Sequence, residues 1–304
     1  MDLSAAKNEI MHLLSRVNPR ELPKLVEWMK NSDELDNYFI DNEKVVLQSI
    51  AEDLRTSVPP EATFSSESLA LQKIQQSSRA LIHVDAFLYD EEAVDILCEE
   101  GKLSRNYCLH CGSQRTAPLE FISHSFSIME LRFLFQHVLP DLTGLMLVDV
   151  GSRLGAVLYA GYLYSSLARL VGVEISLEFT GLQKMVVQKY DFADRIEIVH
   201  ADICTQPGLL QGADVVVLNN VFEYFLDQDS QIRAWLCIQH NVRKTGALLV
   251  TVPSMQEALS ALQPSGGGID ISHWVEELPL NYDVYLGKDS DPDTLKQIHL
   301  YRVL

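Results

Sequence analysis

Two glycines four residues apart lie in a turn, DVGSRLG, whose residue types suit the binding of a nucleotide-like ligand. The apolar run LMLVDV precedes Gly151, and AVLYAGYLYSSLARL, which can form a helix, follows Gly155. Gly151 would let the backbone bend sharply and approach a ligand, while Gly155 would let helix and strand pack closely. The turn therefore predicts a ligand site in which Asp149, Ser152 and Arg153 are candidate contacts.

Acidic residues also end the next two apolar runs. Glu174 stands 25 residues after Asp149, at the spacing expected of a carboxylate that accepts hydrogen bonds from both ribose hydroxyls. Asp202 follows the third run and could accept from the exocyclic amine of adenine, with Ile203 beside it. Ligands bind outside the carboxyl ends of parallel strands, so these groups are expected to converge. A solvated strand end or a helix cap is the alternative interpretation of each carboxylate alone.

The elements that must position these residues alternate between strand and helix. Short β-rich runs occur at LMLVDV, ARLVGVE, IEIVHADI, ADVVVLNN and ALLVTVPS, separated by segments long enough for a crossover helix. This alternation predicts an α/β fold, with a mostly parallel sheet covered by helices on both faces. The segments YDVYLG and QIHLYRVL are separated by only nine residues and are predicted to form a C-terminal antiparallel hairpin.

The first 125 residues are predicted to form a mostly helical region. Apolar residues spaced near multiples of four predict a helix from Asp33 to Arg55, and helical character resumes from about Ser68. A capped helix is predicted between Asp90 and Gly101. Ser127 and Glu130 then form an S-x-x-E capping box. We therefore divide the chain into a helical region, 1–125, and a sheet domain, 126–304.

From Ile128 to Leu304 the chain resembles the class I methyltransferases that use S-adenosylmethionine (SAM). VDVGSRLG is similar to their first motif, VGVE to their acidic second-strand end, and HADI to the strand end that contacts adenine. The resemblance implies a Rossmann-like, seven-stranded sheet, SAM as the cofactor, and the final segments as sixth and seventh strands. A dinucleotide-binding domain for NAD is another interpretation of the turn. Such a domain would prefer G-x-G-x-x-G, whereas this turn reads G-S-R-L-G.

Within that superfamily, D-V-G-S-x-x-G, G-V-E and the pair Asn219-Asn220 are similar to the non-SET histone-lysine methyltransferases. This narrower resemblance implies that Asn219 contacts the cofactor and lies by the methyl-transfer channel, with Asn220, Glu223 and Tyr224 as further catalytic candidates. The alternative is that the two asparagines cap the next helix. Glu223, Tyr224 and Asp227 could position a lysine or another amine. Alternatively, the acids among them stabilise the start of a helix by interacting with its dipole.

Arg153 stands where this family usually has its second glycine. Its side chain could obstruct the methionine end of SAM, point outward, or pair with the carboxylate of the ligand. The sequence also lacks the N/D-P-P-Y/F signature of amino-group methyltransferases and the Pro-Cys pair used to attack pyrimidines. The expected function is therefore methyl transfer from SAM to a nucleophile on a protein, and the alternative is a catalytically inactive SAM-fold regulatory protein.

The amino-acid composition indicates which classes of binding partner and which cellular location to expect. Acidic residues outnumber basic ones 42 to 24, for a formal net charge of −18, which disfavours nucleic acid and favours a basic protein substrate or a small molecule. Solubility is an equally good explanation of this acidity. No apolar run is long enough to span a membrane, and the N-terminus does not read as a signal peptide. With an odd number of cysteines, five, we expect a cytoplasmic or nuclear protein.

Two further features have competing interpretations. Cys108 and Cys111 have the C-x-x-C spacing of half a zinc site, with Cys98, His110 and His124 as other candidate ligands, but no second C-x-x-C exists. We therefore predict no metal and interpret the pair as two reduced thiols. Phe126 could contact adenine or could pack as a hydrophobic staple beside the cap at Ser127.

Overall fold

The computed structural model describes residues 3–31, 41–58, 64, 72, 81–109, 115–118, 120–260, 262, 269–284, 286 and 292–304. The chain divides into two compact units, Met1–Asn42 and Glu43–Leu304. Helices α1 (Leu3–Ser15) and α2 (Leu22–Asn31) lie in the first unit. The predicted division near residue 125 falls inside the second unit, so a separate helical region stays a prediction. Within the described ranges, no helix is both long and apolar enough to cross a membrane.

A seven-stranded sheet forms the centre of the second unit, and its order along the sheet is β10-β11-β9-β8-β5-β6-β7. β11 runs antiparallel to both of its neighbours, and the other pairs are parallel. The seven-stranded Rossmann-like fold predicted from the sequence is confirmed. Its strands are β5 Met146–Val150, β6 Arg169–Glu174, β7 Ile196–His200, β8 Val215–Asn219, β9 Leu248–Val252, β10 Val275–Leu278 and β11 His299–Val303.

Successive residues of each strand point to opposite faces of this sheet, so both faces are apolar and both are covered. Leu147 of β5 packs into one core and Val148 into the other. The first core includes residues of α3, α5, α6 and α7, and the second includes residues of α8, α9 and α10. These helices are α3 Asn42–Arg55, α5 Ile128–Phe133 continued by a π-helical turn at Leu134–Val138, α6 Ala156–Tyr164, α7 Leu177–Lys189, α8 Pro207–Gly212, α9 Gln228–Asn241 and α10 Met255–Ser260.

The capping predictions for two helices are confirmed. Helix α4 (Glu91–Glu99) begins after Asp90, whose carboxylate accepts from the Ala93 amide at 2.9 Å, and Gly101 follows its end with φ +72°. At α5, Ser127 and Glu130 form the complete reciprocal capping box.

Short strands before residue 126 were not predicted. β1 (Leu81–His83) pairs in parallel with β4 (Glu120–Ile122), and β2 (Asn106–Cys108) pairs antiparallel with β3 (Thr116–Pro118). Each has three residues, too few to show the alternation that identifies a strand. The predicted helix from about Ser68 is wrong at its end, where β1 lies, and most of it falls outside the described residues. Part of the predicted helix from Asp33 does as well, and its described part is α3.

The predicted C-terminal hairpin is corrected in one strand. The partner of β11 is β10, with Val275 opposite Val303 and Leu278 opposite Leu300, and the described part of YDVYLG is irregular. Pro279, which has no N–H to donate to a ladder, follows the last residue of β10. Tyr282 instead donates from its hydroxyl to the Ile298 carbonyl at 2.9 Å. A last helix, α11 (Pro292–Leu295), precedes β11.

Candidate ligand site at the carboxyl edge of the sheet

The glycine turn lies where the order of the sheet reverses, because β5 has β6 on one side and β8 on the other. Ligands of open α/β sheets bind at such a switch point, outside the carboxyl ends of the strands. Gly151 and Ser152 donate from their backbone amides to the Val173 carbonyl, at 2.8 and 3.2 Å, which fixes the turn against β6.

Both glycines of the turn have left-handed backbones, with φ +69° at Gly151 and φ +83° at Gly155. A Cβ at Gly151 would lie 2.5 Å from Cγ2 of Val221, and one at Gly155 would lie 2.6 Å from the hydroxyl of buried Tyr159. Larger residues are therefore excluded by conformation and by space. Gly155 stands immediately before α6, whose first amide groups point toward the turn. The result is a backbone cradle at a helix N-terminus.

Two buried carboxylates stand next to this cradle. Burial raises the pKa of Asp149 well above its ordinary value, and the neighbouring Glu174 raises it further. Burial also raises the pKa of Glu174, while its hydrogen bonds partly oppose that shift. Glu174 accepts from the amides of Ser176 and Arg153 at 2.8 and 2.9 Å. The predicted ribose contact is thus held rigidly at the end of β6.

Arg153 takes a left-handed conformation, φ +40°, where the family has glycine. Its side chain is buried, at 8% exposure, so the outward-pointing alternative is wrong. The guanidinium carbon lies 5.0 Å from the ring centre of Phe179 and 5.8 Å from that of Phe225. Nη1 lies 3.5 Å from a carboxylate oxygen of Asp85, a residue with no exposed surface. Arg153 therefore joins the glycine turn to residues that precede the sheet.

Gln183 supports the same turn and was missed from sequence. Its side-chain amide donates to the Arg153 carbonyl at 2.6 Å, and its side-chain oxygen accepts from the Ser152 hydroxyl at 3.0 Å. Gln183 is fully buried on α7 at helical spacing from Phe179 and Val187. A glutamine on the apolar face of a helix needs a polar partner, and that was the available signal.

Asp202 and Ile203 lie at the end of β7, close to the end of β6. The Ala201 amide donates to the Glu174 carbonyl at 3.1 Å, which brings the two strand ends together. Asp202 is exposed and caps a 3₁₀ turn, Ile203–Thr205, by accepting from the Cys204 amide at 2.9 Å. Ile203 is buried, whereas Ile175, directly after Glu174, is 70% exposed. Asp202 therefore caps the 3₁₀ turn and also lies at the edge of the sheet where the ligand is expected.

Asn219 and Asn220 end β8 at the same edge. Asn219 donates from its side-chain amide to the His124 carbonyl at 3.0 Å and accepts from the Asn220 side chain at 3.1 Å. Asn220 has φ +48°, a conformation that asparagine tolerates. Neither residue caps α9, whose N-cap is Asp227.

The turn between β8 and α9 carries the other predicted catalytic residues. Glu223 accepts from the Phe222 amide at 3.1 Å, a local hydrogen bond. Tyr224 lies with its ring centre 4.6 Å from that of His124. Burial, and then the charge of Glu223, raises the pKa of Tyr224. Asp227 accepts from the Ser230 amide at 2.8 Å, so its capping role is structural.

His124 is the most unusual residue at this edge. Its ring stacks on His83 at 4.5 Å and lies 4.9 Å from the ring of Phe225. The side chain is buried, and within the described part of the chain neither ring nitrogen has a hydrogen-bond partner. Burial, then the charges of His83 and Arg153, lowers the pKa of His124 to about 2. An unsatisfied buried polar group costs about 1–3 kcal/mol, so this ring is an energetic cost to the fold.

The remaining candidates have less support as ligand contacts. Cys108 is exposed, whereas two of its predicted partners, Cys111 and His110, lie outside the described residues. No group of three potential metal ligands occurs among the residues described. Phe126 is buried in the first core, as a staple residue would be.

Comparison with known protein families identifies one domain within this chain. Residues 148–250 match the family described as a methyltransferase domain. A search of curated proteins gives no match to this chain.

Three solved structures are among those to which part of this chain is similar. A Methanococcus maripaludis protein assigned to the SAM-dependent methyltransferases is 19% identical, over 45% of this chain and 60% of that one, with a TM-score of 0.34. A Salinibacter ruber RNA methyltransferase in complex with S-adenosylhomocysteine is 17% identical, over 52% and 78%, with a TM-score of 0.33. A Geobacter sulfurreducens methyltransferase is 12% identical, over 58% and 76%, with a TM-score of 0.36. This chain thus spans less than two thirds of the first of these proteins.

Proposed function

We propose that this chain carries a class I SAM-dependent methyltransferase domain and transfers the methyl group of SAM to a nucleophile on a protein. The observation that supports this most is the match of residues 148–250 to a methyltransferase domain, over strands whose carboxyl ends carry the glycine cradle and Glu174. When bound, SAM supplies an electrophilic methyl group on a sulfonium.

The residues at this edge fit the adenosine half of SAM. Glu174 would accept from the ribose hydroxyls, and Asp202 would accept from the exocyclic amine of adenine. Ile175 has a large exposed apolar surface next to Glu174, which the base would cover favourably. Gly151 and Gly155 set the shape of the turn that would hold SAM, since a Cβ at either position would meet protein atoms under 3 Å away.

We assign Arg153 to the carboxylate of SAM. Its guanidinium is buried, and Asp85 is a neighbouring acceptor. A guanidinium has five N–H donors, so the same group would also form a charge-assisted pair with the carboxylate of SAM. Ser152 and Gln183 would hold the turn in shape through their mutual hydrogen bond. Asp149, at the end of β5, would contact the cradle from the side of the strand.

The acceptor would lie against the end of β8, where Asn219, Asn220 and Tyr224 would orient it. A protein acceptor is favoured over nucleic acid by the net charge of −18, which opposes the approach of a polyphosphate. The odd number of cysteines, five, supports a reducing cytoplasm or nucleus as the location that we propose.

The second candidate is a SAM-fold regulatory protein without transferase activity. Arg153 favours it, because a large buried side chain occupies the turn where the family has glycine. In that case the Arg153–Asp85 pair would be a permanent structural element.

Calorimetry with SAM, S-adenosylhomocysteine and NAD tests the cofactor assignment on the full chain. We expect micromolar binding of the first two and no heat with NAD. Glu174→Gln should weaken SAM binding about 10- to 100-fold, since hydrogen bonds to a charged group contribute about 1.5–3 kcal/mol. Glu197→Gln, in an exposed ion pair with Arg169, is the control and should bind SAM normally. No heat with either SAM species would refute the proposal.

Transfer is tested with methyl-labelled SAM and cell lysate separated into proteins, nucleic acids and small molecules. The proposal predicts label in the protein fraction. SAM binding without transfer to any fraction would establish the regulatory alternative, and label only in nucleic acid would refute the proposed acceptor.

A further inference from the structure

His124 lies at the end of the site where the acceptor is expected. Asn219 donates to its carbonyl at 3.0 Å, and its ring contacts Tyr224 and Phe225 on the turn after β8. The neighbouring Ser125 donates to Asp85 at 2.5 Å, and Asp85 lies beside Arg153 of the glycine turn. His124 is thus held between the end of β8 and the first motif by residues that precede the sheet.

A purely structural role does not explain a histidine at this position. The ring is 4% exposed, and neither nitrogen finds a partner among the described residues. A phenylalanine would fill the same space among aromatic neighbours without leaving two polar atoms unsatisfied. Buried polar groups without partners call for an explanation, and a ligand that brings a hydrogen bond is one.

The surroundings of His124 determine which ligand groups are acceptable. The charge of Arg153 and the stacked ring of His83 both oppose a positive charge here, and burial opposes any charge. Asp85, which accepts from the neighbouring Ser125, is itself beside Arg153. The imidazole is therefore neutral, with one lone pair free to accept. A lysine ammonium would meet the same opposition, whereas an uncharged hydroxyl would not.

We propose that His124 binds the methyl acceptor, by accepting a hydrogen bond from a neutral hydroxyl group that is the nucleophile. This inference rests on the proposed function and specifies its acceptor. As the hydroxyl oxygen forms its bond to the methyl carbon, the carbon–sulfur bond breaks and its electron pair remains on sulfur. The hydroxyl proton passes to the imidazole and then to solvent. Even a weakly basic imidazole suffices, because an alkylated hydroxyl is a far stronger acid than imidazolium.

The test compares His124→Phe, His124→Asn and a control, His240→Asn, which changes an exposed histidine on α9. Labelled SAM is supplied with the protein fraction and, separately, with the small-molecule fraction of a lysate, which distinguishes the two sources of hydroxyl. His124→Phe should retain SAM affinity within about 2-fold and lower kcat/KM for transfer about 100-fold or more, the usual contribution of proton transfer. His124→Asn keeps an acceptor oxygen and should recover part of the loss.

The label should be stable to alkali and should not be recovered as methyl-lysine, as expected of a methyl ether. Transfer by His124→Phe within about 3-fold of wild type would overturn the role of His124 and leave the proposed function intact. Methyl-lysine or an alkali-labile ester as the main product would overturn the hydroxyl assignment. Failure of wild type to bind SAM would refute the proposed function itself, and transfer to neither fraction would overturn both.

Discussion

Replacing Asp85 by asparagine should destabilise the second unit markedly, because it removes the negative partner of a buried arginine. The Asp85 side chain is fully buried and that of Arg153 is 8% exposed, with Nη1 and Oδ2 3.5 Å apart. Asparagine keeps an oxygen for the amides of Phe87 and Leu88, which Asp85 accepts at 3.0 and 3.3 Å. Its amide can also donate to the hydroxyl of Ser125. The substitution therefore removes mainly the charge.

Removing one partner of a buried ion pair costs about 3–5 kcal/mol. The separation of 3.5 Å is long for such a pair, so we expect the lower end, about 3 kcal/mol of the free energy of unfolding. With a urea slope near 3 kcal/mol per molar, the midpoint should fall by about 1 M. Urea unfolding at pH 7 is followed by the fluorescence of Trp235 and Trp274, both buried in the second unit.

Two comparisons separate charge pairing from general damage. Glu197→Gln breaks an exposed pair, at 50% and 47% exposure, and should cost less than about 1 kcal/mol. Arg153→Met removes the cation, so the Asp85→Asn/Arg153→Met double variant should be more stable than the sum of its single changes by at least about 1 kcal/mol. An Asp85→Asn variant within about 0.5 kcal/mol of wild type, or a fully additive double variant, would refute the reasoning.

Two further predictions concern the turn and the strand beside it. Because burial raises the pKa of Asp149, the folded chain holds this proton more tightly than the unfolded chain, and wild-type stability falls as pH rises from about 4 through the raised pKa. Asp149→Asn should therefore raise Tm more at pH 8 than at pH 4.5 in scanning calorimetry, and a gain that grows on acidification would contradict this sign. Gly172→Ala would place a Cβ 2.6 Å from Leu158 and 2.8 Å from Ser152, costing about 1–3 kcal/mol in urea unfolding. Gly181→Ala on α7 meets nothing within 4 Å and should be neutral or stabilising by up to about 1 kcal/mol, so equal losses at both glycines would exclude overpacking as the cause.

The succession of parallel strands along the chain and the glycine turn could be predicted from the sequence because both depend on local pattern. Each parallel strand is a continuous apolar run, since both of its faces are buried, and the capping residues act within four positions of themselves. The sixth strand was misplaced because the segment at Tyr282 is richer in residues of high β propensity than Val275–Leu278, which contains two glutamates. Pairing with β11 decided between them, and pairing is not a local property.

The turn from Asp149 to Gly155 and the carboxylate at Glu174 follow from the local sequence, because the positive φ angles and the crowding of the turn require glycine and parallel strand ends converge at one edge. Only the tertiary structure brought Asp85 and His124 to that edge, through contacts spanning 68 residues to Arg153 and 95 residues to Asn219. It also buried the side chain of Arg153, whose direction no neighbouring residue fixes. The burial and the electrostatic surroundings of Asp85, His124 and Arg153 arise from elements that are distant in the chain. A local pattern of residue types therefore cannot predict them.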